Sequence, residues 1–259
     1  TKSPDRRGNH LQTSSKALKI SRIAEIVDKA GRQSEMALQI AKKGKALKRD
    51  VEAILTSAQA GVAMSGATAG RSAGLVVWIT TNDDFGAGGA SPALTSGIPE
   101  TARTSGTDRA LTQSQILTGV KNCYDQGGDP NMIMVSTTIK QALSTFWFTS
   151  ASSRIATPYQ DHGKTPRGGV QAVGAVDAIV TDFGVLDIVP NRFQRDDDVW
   201  ILDMEMWAVA YLEGYKIQKL GKSGDNVRKI LTVDWTLEAR NEAASASVLD
   251  VDETLPVAA

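Results

Sequence analysis

The stretch from Ser34 to Gln59, SEMALQIAKKGKALKRDVEAILTSAQ, constrains the fold more than any other part of the chain. Met36, Ile40, Leu47, Val51, Ile54, Leu55 and Ala58 recur mostly at steps of three and four, with Gly44 where the seam skips a side chain. That spacing predicts one long amphipathic helix. At 1.5 Å per residue it would run for roughly 39 Å, close to the diameter of a small domain. Ser34 is placed to act as N-cap, with Glu35 at the positive end of the helix dipole. Beyond it, Gly61, Gly66 and Gly70 stop helix propagation. Glu35, Lys42, Lys43, Lys45, Lys48, Arg49, Asp50 and Glu52 occupy the other faces, so the helix lies on a core or a neighbour instead of being buried all round. The heptad pattern is not sustained, which argues against a coiled coil.

The chain has 259 residues, enough for one large or two modest domains with a real core. Lys+Arg and Asp+Glu are both 29, so the basic excess of a protein built to grip nucleic acid is missing as a global property, although local basic faces remain open. A single Cys123 excludes an internal disulfide, and with only His10 and His162 the usual zinc sites cannot be assembled. No apolar run approaches the ~18 residues of a membrane span and no signal peptide opens the chain, so a soluble, cytoplasmically made protein is expected. The chain opens on Thr1 with the polar TKSPDRRGNHLQTSSKALKIS, which reads either as a disordered terminus or as an extended arm ordered against another subunit.

After the helix, Leu75 to Ile79 read as a short buried strand or packed turn. Asp83 to Asp108 form a Gly/Ser/Thr/Pro-rich connection of about 26 residues, far longer than the usual loop in a compact domain. A helix follows with Leu111, Ile116, Val120 and Cys123 on one face, stopped by Gly127 and Gly128. Met132 to Val135 read as a strand and Thr137 to Thr149 as a second helix, then Ala151 to Gly174 as a mobile loop. From Ala175 the pattern turns to strands in AVDAIVTDFG, VLDIVPNRF and DVWILD, with Phe183-Gly184 as a tight connection. Met204 to Leu212 is ambiguous between helix and strand. Tyr215–Leu220 and Val227–Ala239 read as paired strands, the second with Leu231, Val233, Trp235 and Leu237 on one face. A last short strand and a loose tail end the chain. The fold class is α+β, with a mixed middle and a β-rich end.

Several fragments imitate active sites without the context the chemistry needs. Gly221-Lys222-Ser223 lacks the glycine of a phosphate loop five positions earlier, where Lys216 stands. Gly86 to Gly89 has no strand-then-helix setting and reads as a flexible loop. Asp196, Asp197 and Asp198 in a turn read as solvated carboxylates rather than a metal site. Neither histidine has a nucleophile signature beside it, and Cys123 reads as a small core residue. No catalytic, cofactor or metal residue is assigned. The run Lys42, Lys43, Lys45, Lys48 and Arg49 is either the solvated side of the helix or a stripe facing packaged polyanion; without interleaved aromatics such a contact would be blind to sequence.

Four separated segments, GRQSEMALQIAKKGKALKRDVEAIL, GGDPNMIMVSTTIKQAL, DFGVLDIVPNRFQRDDDVWILDMEMWAVAYL and TVDWTLEARNEAAS, together resemble the tailed-bacteriophage major capsid (major head) proteins of the Hong Kong 97-type fold. The resemblance runs from Arg6 to Leu249 in the family's order. It implies a non-enzymatic shell subunit that assembles with itself as hexamers and pentamers into an icosahedral virion head around double-stranded DNA, in the host bacterial cytoplasm, with portal, scaffold and decoration proteins as further partners and no cofactor or membrane. It implies that residues 1–20 are part of an extended loop, with the N-terminal arm and the loop's rising limb lying outside this sequence. Residues 21–108 would be a peripheral domain with spine helix 34–59 and long loop 83–108, residues 109–190 an axial domain, and residues 191–259 the return to the peripheral strands and tail. Arg6, Arg7, Lys16, Lys19, Arg22 and Glu25 are the expected inter-subunit ion-pair residues. Two other readings stay open: the shell of a bacterial nanocompartment of the encapsulin type, and a metal-dependent hydrolase using Asp196 to Asp198 or His162.

Overall fold

The computed structural model describes residues 6–27, 31, 33–149 and 177–252. The loop expected over Ala151–Gly174, with His162, lies outside them, as does the tail from residue 253. In chain order the elements are β1 (Gln12–Ser21), α1 (Arg22–Ile26), α2 (Glu35–Leu55), α3 (Leu75–Trp78), β2 (Asp83–Asp84), β3 (Ala93–Thr95) and β4 (Ile98–Thr101). Then come α4 (Gln113–Asp125), β5 (Met132–Val135), α5 (Thr137–Thr149), β6 (Ala178–Thr181), β7 (Gly184–Pro190) and β8 (Val199–Leu202). The last are β9 (Trp207–Leu220), β10 (Asn226–Ala239) and β11 (Ala246–Val248). The chain divides into two compact units, each built from three separated segments: Thr1–Trp78, Pro92–Arg103 and Trp207–Arg240 form the first, and Ile79–Ser91, Thr104–Met206 and Asn241–Ala259 the second.

In the first unit α2 lies on an antiparallel sheet of order β1-β10-β9. The two-residue alternation of β10 turns Leu231, Val233, Trp235 and Leu237 inward, and Leu18 and Ile20 of β1 join them. Leu47 and Val51 of α2 close this core, flanked by half-buried Met36, Ile40, Ile54 and Leu55. The expected N-cap forms, since Ser34 Oγ accepts from the Ala37 amide at 3.2 Å. The helix ends at Leu55, four residues short of the expected Gln59. There Thr56 Oγ1 donates to the Glu52 carbonyl at 3.0 Å and Ser57 Oγ to that of Ile54 at 2.8 Å, so hydroxyls compete for the last carbonyls. Leu75–Trp78 is a single buried helical turn and not a strand; an apolar run of five specifies burial, not conformation. Trp207 to Leu220 is one strand of 14 residues, which settles the ambiguous Met204–Leu212: a 3-10 turn at Met204–Met206, then β9.

Two other expectations change. The polar opening holds β1, paired along its length with β10 from Gln12 opposite Trp235 to Ser21 opposite Asn226. The stretch from Asp83 to Asp108 is not structureless. It contains β2 and the β3–β4 hairpin, whose turn residues Ser96 and Gly97 both have positive φ, 52° and 83°, as the twist of a tight two-residue hairpin requires.

The second unit is a six-stranded mixed sheet of order β2-β11-β8-β5-β7-β6, in which β5 runs parallel to β7 and antiparallel to β8. Helix α4 starts with a capping box between Thr112 and Gln115 and gives way to Gly127, at φ 81°. It buries Ile116, Val120 and Cys123 against Ile133, Val135, Leu186, Ile188, Val199 and Ile201, with Ile139 and Leu143 of α5 in the same core. At Gly119 a Cβ would lie 2.7 Å from Ile201 Cδ1, so the missing side chain is what lets this helix sit against the sheet.

Candidate functional site

For a chain without a catalytic signature the candidate sites are surfaces, beginning with the charged residues of the first unit. Lys16 faces α2 and pairs with Asp50 at 2.5 Å. Arg22 Nε donates to both carboxylate oxygens of Asp225, at 2.8 and 3.0 Å. Glu25 reaches across from α1 to the start of α2, where it accepts from Ser34 Oγ at 2.6 Å and from the Met36 amide at 3.1 Å. It therefore satisfies an orphan helix donor and complements the helix dipole. Lys16, Arg22 and Glu25, all expected as inter-subunit residues, are thus engaged within their own unit. Arg6, Arg7 and Lys19 are exposed.

The basic run on α2 is split by the geometry of the helix. Lys42, Lys45 and Arg49 are exposed at steps of three and four and share one face. Lys43 is half-buried on one flank, towards β1. On the other flank Lys48 Nζ stands 5.7 Å from the centroid of the Tyr215 ring, a cation–π distance.

The fragments that imitate active sites resolve into structural parts. Asp196 is exposed, Asp197 is bound by Arg195, and Asp198 is fully buried with its carboxylate 3.8 Å from Arg195 Nε. Burial opposes the Arg195 charge, but the hydrogen bond to Asp197 and the nearby Asp198 and Asp250 hold its pKa above the ordinary value. Gly221 to Ser223 lie in the turn between β9 and β10. His10 Nε2 is 2.9 Å from Glu100 Oε1. The Cys123 thiol is buried and its pKa is pushed up to about 12 by that burial, so it is inert. Among the described residues no group of three or more His, Cys, Asp or Glu could hold a metal ion, and no helix is long and apolar enough to cross a membrane.

Some residues that hold the units together went unread in the sequence. Asn9 Nδ2 donates to Ser72 Oγ at 3.1 Å and to the Leu237 carbonyl at 3.0 Å, while its Oδ1 accepts from the Ala73 amide at 2.9 Å. Gln12 Oε1 accepts from the Ser72 amide at 3.0 Å. The polar opening is therefore a hydrogen-bonding hub. In the second unit Asp250, at φ 57°, accepts from the amides of both Gly86 and Gly106 at 3.0 Å and ties two loop stretches together. A Cβ on Gly86 would lie 2.0 Å from the Thr107 carbonyl oxygen, so the GAGG segment is a close backbone crossing and not a flexible loop. The Ser96-Gly97 pair between two short extended runs was the one local signal available.

A helix laid on a long-stranded sheet in one unit and a mixed sheet covered by helices in the other are the parts of the Hong Kong 97-type capsid fold. Against solved structures, the cyanophage A-1(L) capsid asymmetric unit matches with a TM-score of 0.64 at 12% identity over 93% of this chain and 77% of that one. The holo-SrpI encapsulin of Synechococcus elongatus PCC 7942 matches with a TM-score of 0.57 at 10% identity, over 95% and 75% of the two chains. In sequence, the major capsid protein of Escherichia phage Phieco32 is 23% identical over 274 residues, which is 92% of this chain and 74% of that protein. The family model of the SU10 major capsid protein matches residues 1–252, and the chain belongs to that family.

Proposed function

We propose that the chain works as the repeated structural unit of an icosahedral phage head, self-assembling as hexamers and pentamers around double-stranded DNA. The observation that carries this reading is the family match over residues 1–252 together with a capsid fold over the same span. A shell of identical subunits is held by many repeated surface contacts, and the described residues offer extended, charged surfaces. The role is structural and not catalytic.

In this reading the first compact unit is the peripheral domain with α2 as its spine, and the second is the axial domain. Residues 1–20 belong to the extended loop, and the exposed Arg6 is its charge available to a neighbour. Lys42, Lys45 and Arg49 form the stripe that faces packaged DNA, without reading its sequence. Portal, scaffold and decoration proteins complete the particle, which is built in the cytoplasm of the host bacterium. The encapsulin neighbour shares the fold, so the contents of the shell separate a phage head from a nanocompartment.

Sedimentation velocity on the complete gene product, followed by electron microscopy of the fastest fraction, tests the reading. Uniform megadalton shells holding DNA are expected. Shells filled with protein would transfer the function to a nanocompartment, and a monomer in the presence of scaffold would remove it.

A further inference from the structure

The chain is neutral as a whole, but its two units are not. Among the described residues the first unit holds 18 Lys and Arg against 9 Asp and Glu, and the second holds 5 against 16. The basic excess gathers at the turn end of the β9–β10 hairpin. There Lys19 lies directly opposite Arg228, and Lys229 directly opposite Lys219. Like charges facing one another across a sheet destabilise it, so these pairs call for an anion from outside. The one carboxylate at this end, Asp225, is already held by Arg22. Lys19, Lys219, Lys222, Arg228 and Lys229 have no ion-pair partner among the described residues.

The second unit presents the complement. At its sheet edge the β6–β7 hairpin carries Asp182 and Asp187, exposed and without a partner among the described residues. Around them Val180, Val185 and Phe183 are exposed, with Val180 66% accessible. An edge hairpin that shows apolar side chains beside unpaired carboxylates is a surface meant to be covered.

We propose that the basic end of the β9–β10 hairpin docks on the acidic β6–β7 hairpin of a second copy of this chain. The contact is heterologous, two different patches meeting head to tail, which is the type that closes rings. Charge complementarity selects the partner, since a neutral chain supplies from its own second unit the acid its first unit lacks. The proposal rests on the shell-subunit reading and adds to it which surfaces meet.

Lys19→Glu with Lys219→Glu is the decisive variant. It places a carboxylate opposite Arg228 on one face of the sheet and another opposite Lys229 on the other, so the sheet gains two favourable cross-strand pairs while the charge of the five cations at this end falls from +5 to +1. The full-length variant is expected to keep its melting temperature and to lose assembled particles on the order of tenfold or more, as is Asp182→Asn with Asp187→Asn. Wild-type yields from both variants would overturn the contact. Normal assembly with less retained DNA in the lysine variant would overturn it too, by giving the cluster to the packaged polyanion. A second arm needs no closed shell: Lys222→Cys with Asp182→Cys, treated with a short bismaleimide, should give a ladder of linked copies. A ladder without shells would sustain this contact while the functional reading failed, and shells without a ladder would overturn the contact alone.

Discussion

Helices α2 and α4 each carry a glycine in mid-helix, and the two do opposite things. In the first unit a Cβ on Gly44 would meet Leu231 Cδ2 at 3.8 Å, an ordinary van der Waals distance, so nothing there requires glycine. In the second unit a Cβ on Gly119 would lie 2.7 Å from Ile201 Cδ1, closer than real contacts allow. The difference extends to the cores. Helix α4 is pressed onto a sheet whose buried cluster spans four strands and both α-helices α4 and α5 of that unit. Helix α2 fully buries only Leu47 and Val51 and leaves the rest of its seam half-covered. The helix of one unit is closed onto its own sheet, while that of the other keeps a half-covered seam; both units also leave apolar side chains exposed, Val180 and Val185 in the second and Ile23 and Leu212 in the first.

The largest expected effect tests whether the thin core of the first unit still depends on its centre. Trp235 is fully buried, and its Nε1 donates to Ser14 Oγ at 3.1 Å. Trp235→Ala should cost about 3–5 kcal/mol in urea unfolding, since it leaves a large cavity and an unpaired hydroxyl. A loss under 1 kcal/mol would mean that the sheet and α2 do not depend on each other. Next come the glycines, whose signs should differ. Gly119→Ala should destabilise by about 1–3 kcal/mol through overpacking. Gly44→Ala should stabilise by about 0.5–1 kcal/mol through helix propensity. Equal signs by thermal denaturation would erase the contrast.

Smaller still is the Lys16–Asp50 pair, half-exposed on both sides. A double-mutant cycle should give about 0.2–1 kcal/mol at low salt and less as salt is raised. The smallest effect sits in the second unit, where burial raises the Asp83 pKa above its ordinary 3.8. A carboxyl with a raised folded-state pKa is bound to its proton more readily when folded, so its contribution is full below 3.8 and is lost as pH rises through the folded value. Asp83→Asn should therefore raise the melting temperature at neutral pH, with the gain fading towards about pH 3. A gain that grows on acidification would contradict the burial.

Much of this was legible locally. The face of α4 with Ile116, Val120 and Cys123, the strand Met132–Val135, the helix Thr137–Thr149 and the alternation of β10 all follow from periods of 3.6 and 2 that neighbours in sequence carry. The alternation of β1 was present too, in Ser14, Leu18 and Ile20, but the polar residues around it hid a strand whose partner β10 lies about 220 residues on. Of the candidate assembly residues, residue type and position could be read, while the partners could not. Whether Lys16 faces a neighbour or Asp50 depends on where a helix from another part of the chain comes to rest.

From sequence alone come the long amphipathic helix, the α+β class and the zero net charge, all set by composition or by short-range pattern. Only the tertiary structure decided that Asn9, Gln12 and Asp250 are ties and that Glu25 caps α2. It alone also showed that three interleaved segments gather the positive charge into one unit and three others the negative charge into the second. The physical reason is that charge and hydrogen bonding act through space. Which groups meet is set by chain crossings tens to hundreds of residues apart, and no local period records them.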